Sequence, residues 1–572
     1  MQHVFSGLPA APGIGVGTLY IYDPMPLRKQ LFAPVTPPST PGEEWERFVV
    51  ALQRVDDELA RLTQMGDSFL ADIFHVHREI LHDKTLTDSV QVGIDSGLSA
   101  SQATRQATDH LIHVFENLSD AYFASRATDI RDVAQRLLAH LDGVSLAKQL
   151  HNLPPDTILV AEDLTAFDTS HLSSTTVVGI ALAGSAPTAH TSILARSLGL
   201  PLICALGPGI MQLEGDQIAI VDGVQGRLFV TPDEETLESY QEMRVRLRSF
   251  RISAEAASHE PAITQDGLSV PVRANINSRE DVLLIPSSGA DGVGLLRTEY
   301  LFQQRTTAPS VEAQVDAYRE MADQLPGEIF TVRLLDVGGD KPVQYLPLPV
   351  ETNPFLGVRG VRLLLQEKHL LWNQLQALVL LAREAPTTNT IRVLVPMVSK
   401  VAELLGVLEI LQQVEHVDEV RYPGGPLEVG VMIEVPAAAL MADHLAPLVD
   451  FFSIGTNDLS QYTLAADRVN SAVAALATSL DPAVLRLINM TCAAAENTGI
   501  PVGVCGEMAG DPSITPLLLG LGVKELSVAT PSVALVKHAV RQTDMEHARH
   551  LAHAALECGR AQEVTALLKQ NI

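Results

Sequence analysis

Apolar positions change their period along the chain, and each change marks a change of architecture. From Pro41 to about Val144 they recur at spacings of three and four: Trp45, Phe48, Leu52, Val55, Leu59 and Leu62 fall on one face of a helix. Similar runs around Phe69–His82, Ala100–Leu118 and Asp129–Leu141 predict a helical bundle. Past Leu153-Pro154-Pro155 the apolar residues gather into short β-prone runs, TILVA, TTVVGIAL, PLICAL, QIAIVDG and GRLFV. Another such run, TLYIY, follows Gly13, Gly15 and Gly17, so those glycines do not open the helix that a dinucleotide-binding loop requires. The expected arrangement is an α/β domain built from residues 1–30 and 145–230, with a helical domain, 31–144, inserted into it, and a charged linker helix over 231–262.

Residues 263–572 have a third pattern. Eight β-prone runs alternate with helical segments: VPVRANI, GVGLLR, FTVRLLD, IRVLVPMV, EVGVMIEV, FFSIGTND, PVGVCGE and ELSVA. Eight strands alternating with helices predict a (β/α)8 TIM barrel, which makes the whole chain a multidomain α/β protein. Arg297, Arg333, Glu434, Asn457, Asp458 and Cys505 each fall at or near the C-terminal end of a predicted strand. Barrel enzymes build their sites at that face. One arginine or carboxylate at a strand end is commonly a surface ion pair; six chemistry-bearing residues at one face are harder to assign to chance.

Composition narrows the partners. The 572 residues carry a formal net charge of -28, which argues against nucleic acid or an anionic membrane surface and suits a basic protein partner. The four cysteines are far apart without metal-ligand spacing, the N-terminus lacks a secretory pattern, and no apolar run reaches the length of a membrane span. A reducing, cytoplasmic setting without membrane insertion is the expectation.

The barrel residues outline a chemistry. Arg297 and Arg333 can fork onto a phosphate or carboxylate, and Arg468 adds a third cation. Glu434 and Asp458 are hard oxygen ligands suited to Mg2+, and Asn457 adds a neutral hydrogen-bonding group. Cys505 is open to two readings, proton donor or buried structural thiol. So is His190, which lies in a turn-rich loop before Thr191-Ser192 and an apolar-periodic segment. It is either an ordinary cap or solvated side chain, or the bearer of a phosphate stabilised at a helix N-terminus. His75, His77 and His82 share a helix in the bundle and read as surface or interface histidines, with no carboxylate ligand set beside them.

The motifs GVGLLRTEYLF, RLLDVGGDK, NPFLGVRGVR, VMIEVPAAA, FFSIGTNDLSQYTLAADR and GVCGEMAGDP, with IFHVHREIL and TAHTSILARSL, run in order over nearly the whole chain. Together they resemble the signatures of phosphoenolpyruvate–protein phosphotransferases, Enzyme I of the bacterial sugar phosphotransferase system. The resemblance implies that His190 is the phosphorylated histidine of a swivelling domain. It implies that Arg297, Arg333, Asn457, Asp458 and Arg468 bind phosphoenolpyruvate, that Glu434 and Asp458 hold Mg2+, and that Cys505 donates a proton. Arg359 and Thr188 match further family positions near the site. The inserted helical domain would dock the phosphocarrier protein HPr or a homologue, and the barrel would mediate a homodimer. Family members read Gly-Gly-x-Thr-Ser-His where this chain has Ser185-Ala186-Pro187-Thr188-Ala189-His190, and Val469 replaces a common glycine. Those departures leave open a paralogue serving a nitrogen-regulatory or dihydroxyacetone-type phosphocarrier, and a catalytically weak regulatory binder.

Overall fold

The structure is a computed structural model. It describes all residues except 1, 23–39, 66–67, 117–120, 143–149, 151–152, 165–167, 169–171, 173–175, 185–190, 193–194, 196–197, 304, 326–327, 339–342, 344, 347–350, 385–389, 416–426, 469, 471–472 and 571–572. The chain divides into two compact units, Met1–Arg248 and Ser249–Ile572.

The first unit combines a sheet with a helical bundle. Strands β1 (His3–Ser6), β2 (Leu8–Ala11) and β3 (Ile14–Tyr22) precede the helices; β4 (Thr157–Ala161), β5 (Val177–Leu182), β6 (Leu202–Cys204), β7 (Ile218–Asp222) and β8 (Arg227–Val230) follow them. All join one eight-stranded sheet in the order β1-β8-β7-β3-β4-β5-β6-β2. The opening segment, which the sequence pattern assigned to a single strand, is three. The glycines that preceded TLYIY in that pattern have a packing reason. A Cβ on Gly15 would lie 2.1 Å from the Val178 carbonyl oxygen, and one on Gly17 2.0 Å from that of Asp156.

Between β3 and β4 run α1 (Pro41–Met65), α2 (Ser68–Leu81), α3 (Lys84–Asp95), α4 (Ala100–Glu116) and α5 (Ala121–Asp142). Phe48, Val55 and Leu59 of α1 are buried, Trp45 and Leu52 line the core's edge, and the Leu62 side chain lies outside the described residues. Helix α3 escaped the sequence pattern, although Leu86, Val90 and Ile94 repeat every four residues and Asp83 caps it by accepting from the Thr85 N–H at 2.6 Å.

The histidines of α2 and of the turn that follows it require a correction. His75 and His82 are exposed, but His77 is buried, because it shares a helix face with Phe74 and Leu81. Each also faces a carboxylate: Glu79 at 3.7 Å, Asp129 at 3.4 Å and Asp56 at 3.1 Å respectively. Around His77 lies a buried charge cluster. Arg136 is 1% exposed, donates to Glu58 and sits 5.7 Å from the Phe74 ring centroid. Asp132 is 3% exposed, and its Oδ1 has no hydrogen-bond partner among the described residues. Tyr22, at the end of β3, donates to the buried Asp168 at 2.8 Å.

The second unit begins within the linker helix α6 (Glu234–Ala256) and is a closed parallel barrel. Its strands are β9 (Val272–Ile276), β10 (Gly292–Leu296), β11 (Ile329–Arg333), β12 (Thr390–Val395), β13 (Glu428–Ile433), β14 (Phe451–Ile454), β15 (Val502–Val504) and β16 (Glu525–Ala529). Side-chain alternation sorts them. Val272, Val332, Val393, Val431, Phe452, Val504 and Leu526 pack into the outer core against the helices. The opposite parity fills the lumen in layers. At the N-terminal end, Arg392 donates to Glu428 at 2.6 Å and to Glu525 at 3.2 Å, Arg273 also pairs with Glu525, and Arg392 stacks 4.7 Å above Phe451. Gly430 makes room for that ring, since a Cβ there would meet Phe451 Cζ at 2.4 Å. Leu295, Leu394, Met432, Phe451 and Cys505 form the apolar layer above.

The cluster around Asp132 makes stability depend on pH. Burial pushes the Asp132 carboxyl up to about 6, with His77 and Arg136 opposing the shift. A carboxyl raised above its unfolded value adds stability that is complete below about pH 4 and is lost as pH rises through its folded pKa. Asp132→Asn is therefore expected to stabilise the Met1–Arg248 unit at pH 7.5 by up to ~3 kcal/mol and to change little at pH 4. Chemical denaturation followed at both pH values checks this.

Candidate functional site

The C-terminal ends of the barrel strands gather most of the residues singled out in the sequence. Arg297 follows β10, its backbone N–H bonded to the Ile276 carbonyl at 3.0 Å. Arg333 is the last residue of β11, and Glu434 and Cys505 directly follow β13 and β15. Asn457 and Asp458 are not on a strand. β14 stops at Ile454, and both residues lie in the first turn of the Thr456–Leu464 helix. The apolar run ends there, because an i,i+4 helical ladder takes over the backbone at Gly455, where Leu459 N–H bonds to the Gly455 carbonyl. His190 and Thr188, with the loop from Ser185, lie outside the described residues. Thr191 and Ser192, which follow, are helical and buried, and Thr191 donates to the Leu164 carbonyl at 2.6 Å.

The arginines and carboxylates of the barrel mouth form one web. Arg333 is buried, pairs with Glu299 through Nη2 and lies 3.3 Å from Asp336 through Nη1. Its Nε is buried without a hydrogen-bond partner among the described residues. Arg359 donates to both oxygens of Asp336, at 3.2 and 2.8 Å, and its Nη1 lies 3.5 Å from Asp458. Arg468 Nη2 is 3.8 Å from the same Asp458 oxygen. Burial works against the Arg333 and Arg359 cations, yet the surrounding carboxylates outweigh it and raise both above the usual guanidinium value. Arg297 is lowered, by burial first and then by the neighbouring Arg333 cation. Two guanidiniums that repel each other, one with a buried N–H unpaired among the described residues, favour an anion between them.

The carboxylate side carries the opposite strain. Glu434 is buried, and burial pushes its carboxyl well above the usual range, with Asp458 and Asp336 adding to the shift. Its Oε1 accepts from the Met397 N–H at 2.6 Å. Met397 holds that position with φ of 58°, a left-handed conformation that costs a non-glycine residue on the order of 1 kcal/mol. Carboxylates that disfavour one another's charge suit a hard divalent cation, which takes one or two of them and completes its shell with water or substrate oxygens. Glu434 and Asp458 fit such an ion.

Cys505 is buried at the base of the mouth. Its Sγ is 3.6 Å from the Ile454 carbonyl oxygen, and burial pushes the thiol up to about 11 against the pull of Ser453, Arg333 and Arg297. It therefore keeps its proton at neutral pH. Asn457 and Glu507 clasp the following turn: the Glu507 N–H donates to Asn457 Oδ1 at 3.0 Å, and Asn457 Nδ2 donates back to Glu507 Oε1 at 3.2 Å.

Sequence reasoning passed over Glu299, Asp336 and Tyr462. Glu299 and Asp336 follow Arg297 and Arg333 by two and three residues within the same motifs, so their proximity was available. Tyr462 was not, because its role comes from a distant loop: it donates to the Phe355 carbonyl at 2.5 Å and accepts from Arg359 at 3.3 Å.

A parallel barrel with cations, carboxylates and a protonated thiol gathered at its C-terminal mouth defines an α/β-barrel enzyme acting on a small anionic substrate. Comparison with known proteins agrees. Residues 252–545 match the PEP-binding domain of PEP-utilising enzymes, residues 6–126 their N-terminal domain and residues 153–226 their mobile domain. The chain is 40% identical over 578 residues to the phosphoenolpyruvate-protein phosphotransferase of Haloferax volcanii, with 99% of each chain covered. It is 36% identical over 581 residues to the protein of that name from Bacillus sp. (strain S), covering 100% of this chain and 98% of that one. A multiphosphoryl transfer protein of Xanthomonas campestris pv. campestris is 40% identical over 577 residues, and the chain spans 67% of its length. The chain belongs to the phosphoenolpyruvate-protein phosphotransferase family of PEP-utilising enzymes.

The pairing of Arg333 has a measurable consequence. Glu299→Ala removes one of its two buried carboxylate partners and is expected to destabilise the barrel by about 3–5 kcal/mol, the cost of breaking a buried ion pair from one side. Glu299→Gln, which keeps a hydrogen-bond acceptor, should lose less. Denaturant titration of the three proteins gives the comparison.

Proposed function

We propose that the chain transfers the phosphoryl group of phosphoenolpyruvate to its own His190, and from there to a histidine of the phosphocarrier protein HPr, as the first step of a cytoplasmic sugar phosphotransferase system. The observation that carries this reading is the barrel mouth, where the Arg297 and Arg333 cations act on each other beside Glu434, whose carboxyl is raised by burial and by neighbouring Asp458. Arg297, Arg333 and Arg468 hold the substrate's phosphate and carboxylate, with Asn457 and Asp458 completing the pocket. Glu434 and Asp458 would hold Mg2+, which when bound would supply charge neutralisation for phosphoryl transfer.

In the reaction, the bond between phosphorus and the enol oxygen breaks as a His190 imidazole nitrogen bonds to phosphorus. The electron pair left on oxygen gives the enolate of pyruvate. Cys505, whose thiol is protonated at neutral pH, passes its proton to the enolate carbon, and the resulting thiolate regains a proton from water. Arg359 is tied to Asp336 and lies against Asp458, so its part is to fix the carboxylates rather than to grip the substrate. Residues 1–30 and 145–230 act as the swivelling phosphohistidine domain, 31–144 as the HPr-docking domain, 231–262 as the linker and 263–572 as the phosphoenolpyruvate-binding and dimerisation domain. The net charge of -28 favours a basic carrier.

Incubation with phosphoenolpyruvate and Mg2+ is expected to add one acid-labile phosphate per chain, seen by intact mass spectrometry. His190→Ala should abolish it; labelling that survives would refute the assignment. Glu434→Gln and Asp458→Asn should each slow loading at least about 100-fold, a loss of ~2.7 kcal/mol of transition-state stabilisation. Chelation by EDTA should slow wild type to a similar degree, and an unchanged rate would exclude the metal.

A further inference from the structure

Cys505 can deliver a proton to one face of an enolate only if its Cα–Cβ bond is held in one direction, and the structure shows what holds it. Its own backbone supplies one restraint, the N–H bond to the Ile454 carbonyl at 3.0 Å. The carbonyl on the other side is held by Asn275, whose Nδ2 donates to the Cys505 oxygen at 3.0 Å and to the Ser527 carbonyl at 3.1 Å. Asn275 is itself locked. Its Oδ1 accepts from the Ser527 hydroxyl at 2.6 Å, so the amide cannot turn over without losing both its donor and acceptor bonds. Ser527 is seated by backbone shape, because Gly294 opposite it leaves no side chain: a Cβ there would lie 2.2 Å from Ser527 Oγ.

Strand parity explains why these residues meet. Asn275 is on β9 and Ser527 on β16, the strands that close the barrel, and both have the parity that faces the lumen, as do Arg273 and Glu525 two positions earlier. Asn275 thus bridges the ends of β15 and β16 at the height of the thiol. An apolar residue at that position would fill the space and leave the Cys505 carbonyl without its donor.

We propose that Asn275, locked by Ser527, is a positioning residue for Cys505, setting the direction from which the thiol protonates its substrate. The proposal rests on the reading of Cys505 as proton donor. Loss of the Asn275 donors frees the Cys505 peptide to rotate, and displacement of a reacting group by about 1 Å can cost ~100-fold in rate. Phosphoryl transfer precedes protonation and uses other residues, so it should be spared.

The test measures three quantities in the full chain with Mg2+ and phosphoenolpyruvate carrying deuterium at one stereo-defined C3 position, in tritiated water, so that the pyruvate methyl group becomes chiral. They are the single-turnover rate of chain phosphorylation, the steady-state kcat and KM for pyruvate formation with an excess phosphocarrier acceptor, and the facial selectivity of protonation at C3. Asn275→Asp keeps the shape but removes the donors, and Ser527→Ala keeps Asn275 but removes its lock. Asn275→Asp is expected to lower kcat about 10–100-fold and erode facial selectivity, with phosphorylation and KM within about threefold of wild type. Ser527→Ala should fall between that variant and wild type. Full selectivity in Asn275→Asp, with Cys505→Ala having lost it, would overturn the inference and leave the proton-donor reading standing. Retained selectivity in Cys505→Ala would overturn the proton-donor reading, and the inference with it. An equal loss of phosphorylation and turnover with selectivity preserved would mark Asn275 as a general structural residue and likewise refute the inference.

Discussion

A buried guanidinium has to be paired, and in this barrel that constraint organises the mouth. Arg333 and Arg359 converge on Asp336, Arg359 reaches on to Asp458, and Asp458 and Asp336 both press upon Glu434. The charges come from strand ends and loops far apart in the chain, and none could be buried without the others. What remains unsatisfied among the described residues is informative: a buried Arg333 Nε–H on one side and carboxylates that disfavour the Glu434 charge on the other. The first suits an anion and the second a cation.

Below the mouth the lumen is closed by layers that do different work. The charged layer of Arg273, Arg392, Glu428 and Glu525 seals the N-terminal end with pairs that satisfy one another. The apolar layer above it desolvates Cys505, and desolvation is the leading cause of the thiol's raised pKa. The same alternation that gives each strand an outer face for the helices gives it an inner residue for one of these layers. Packing and chemistry are thus two consequences of one periodicity.

The helical unit solves a similar problem less completely. Arg136, Asp132, His77 and Asp168 are all buried, drawn from α2, α5 and the segment after β4. Asp132 keeps an oxygen without a partner among the described residues and a raised pKa, so part of the cost of burying charge there is met by holding a proton.

Much was legible in the sequence. Helical periodicity located α1, α2, α4 and α5, and β-prone runs located all eight barrel strands, because local patterns carry that information. Resemblance identified the family, since its motifs are contiguous runs. Strand ends were read too long, most clearly at Asn457 and Asp458, where a helix begins inside an apolar run. His77 was read as a surface or interface residue although its spacing from Phe74 and Leu81 placed it on the core face. What no local pattern could supply is the pairing across the barrel. Asn275 and Ser527 are ordinary polar residues in β-prone runs until closure sets β9 against β16 and brings both to Cys505. Tyr462 and Phe355 likewise meet only through the loop before Arg359. Composition and periodicity decide which residues face inward. Which inward residues touch depends on register and closure, long-range properties of the folded chain.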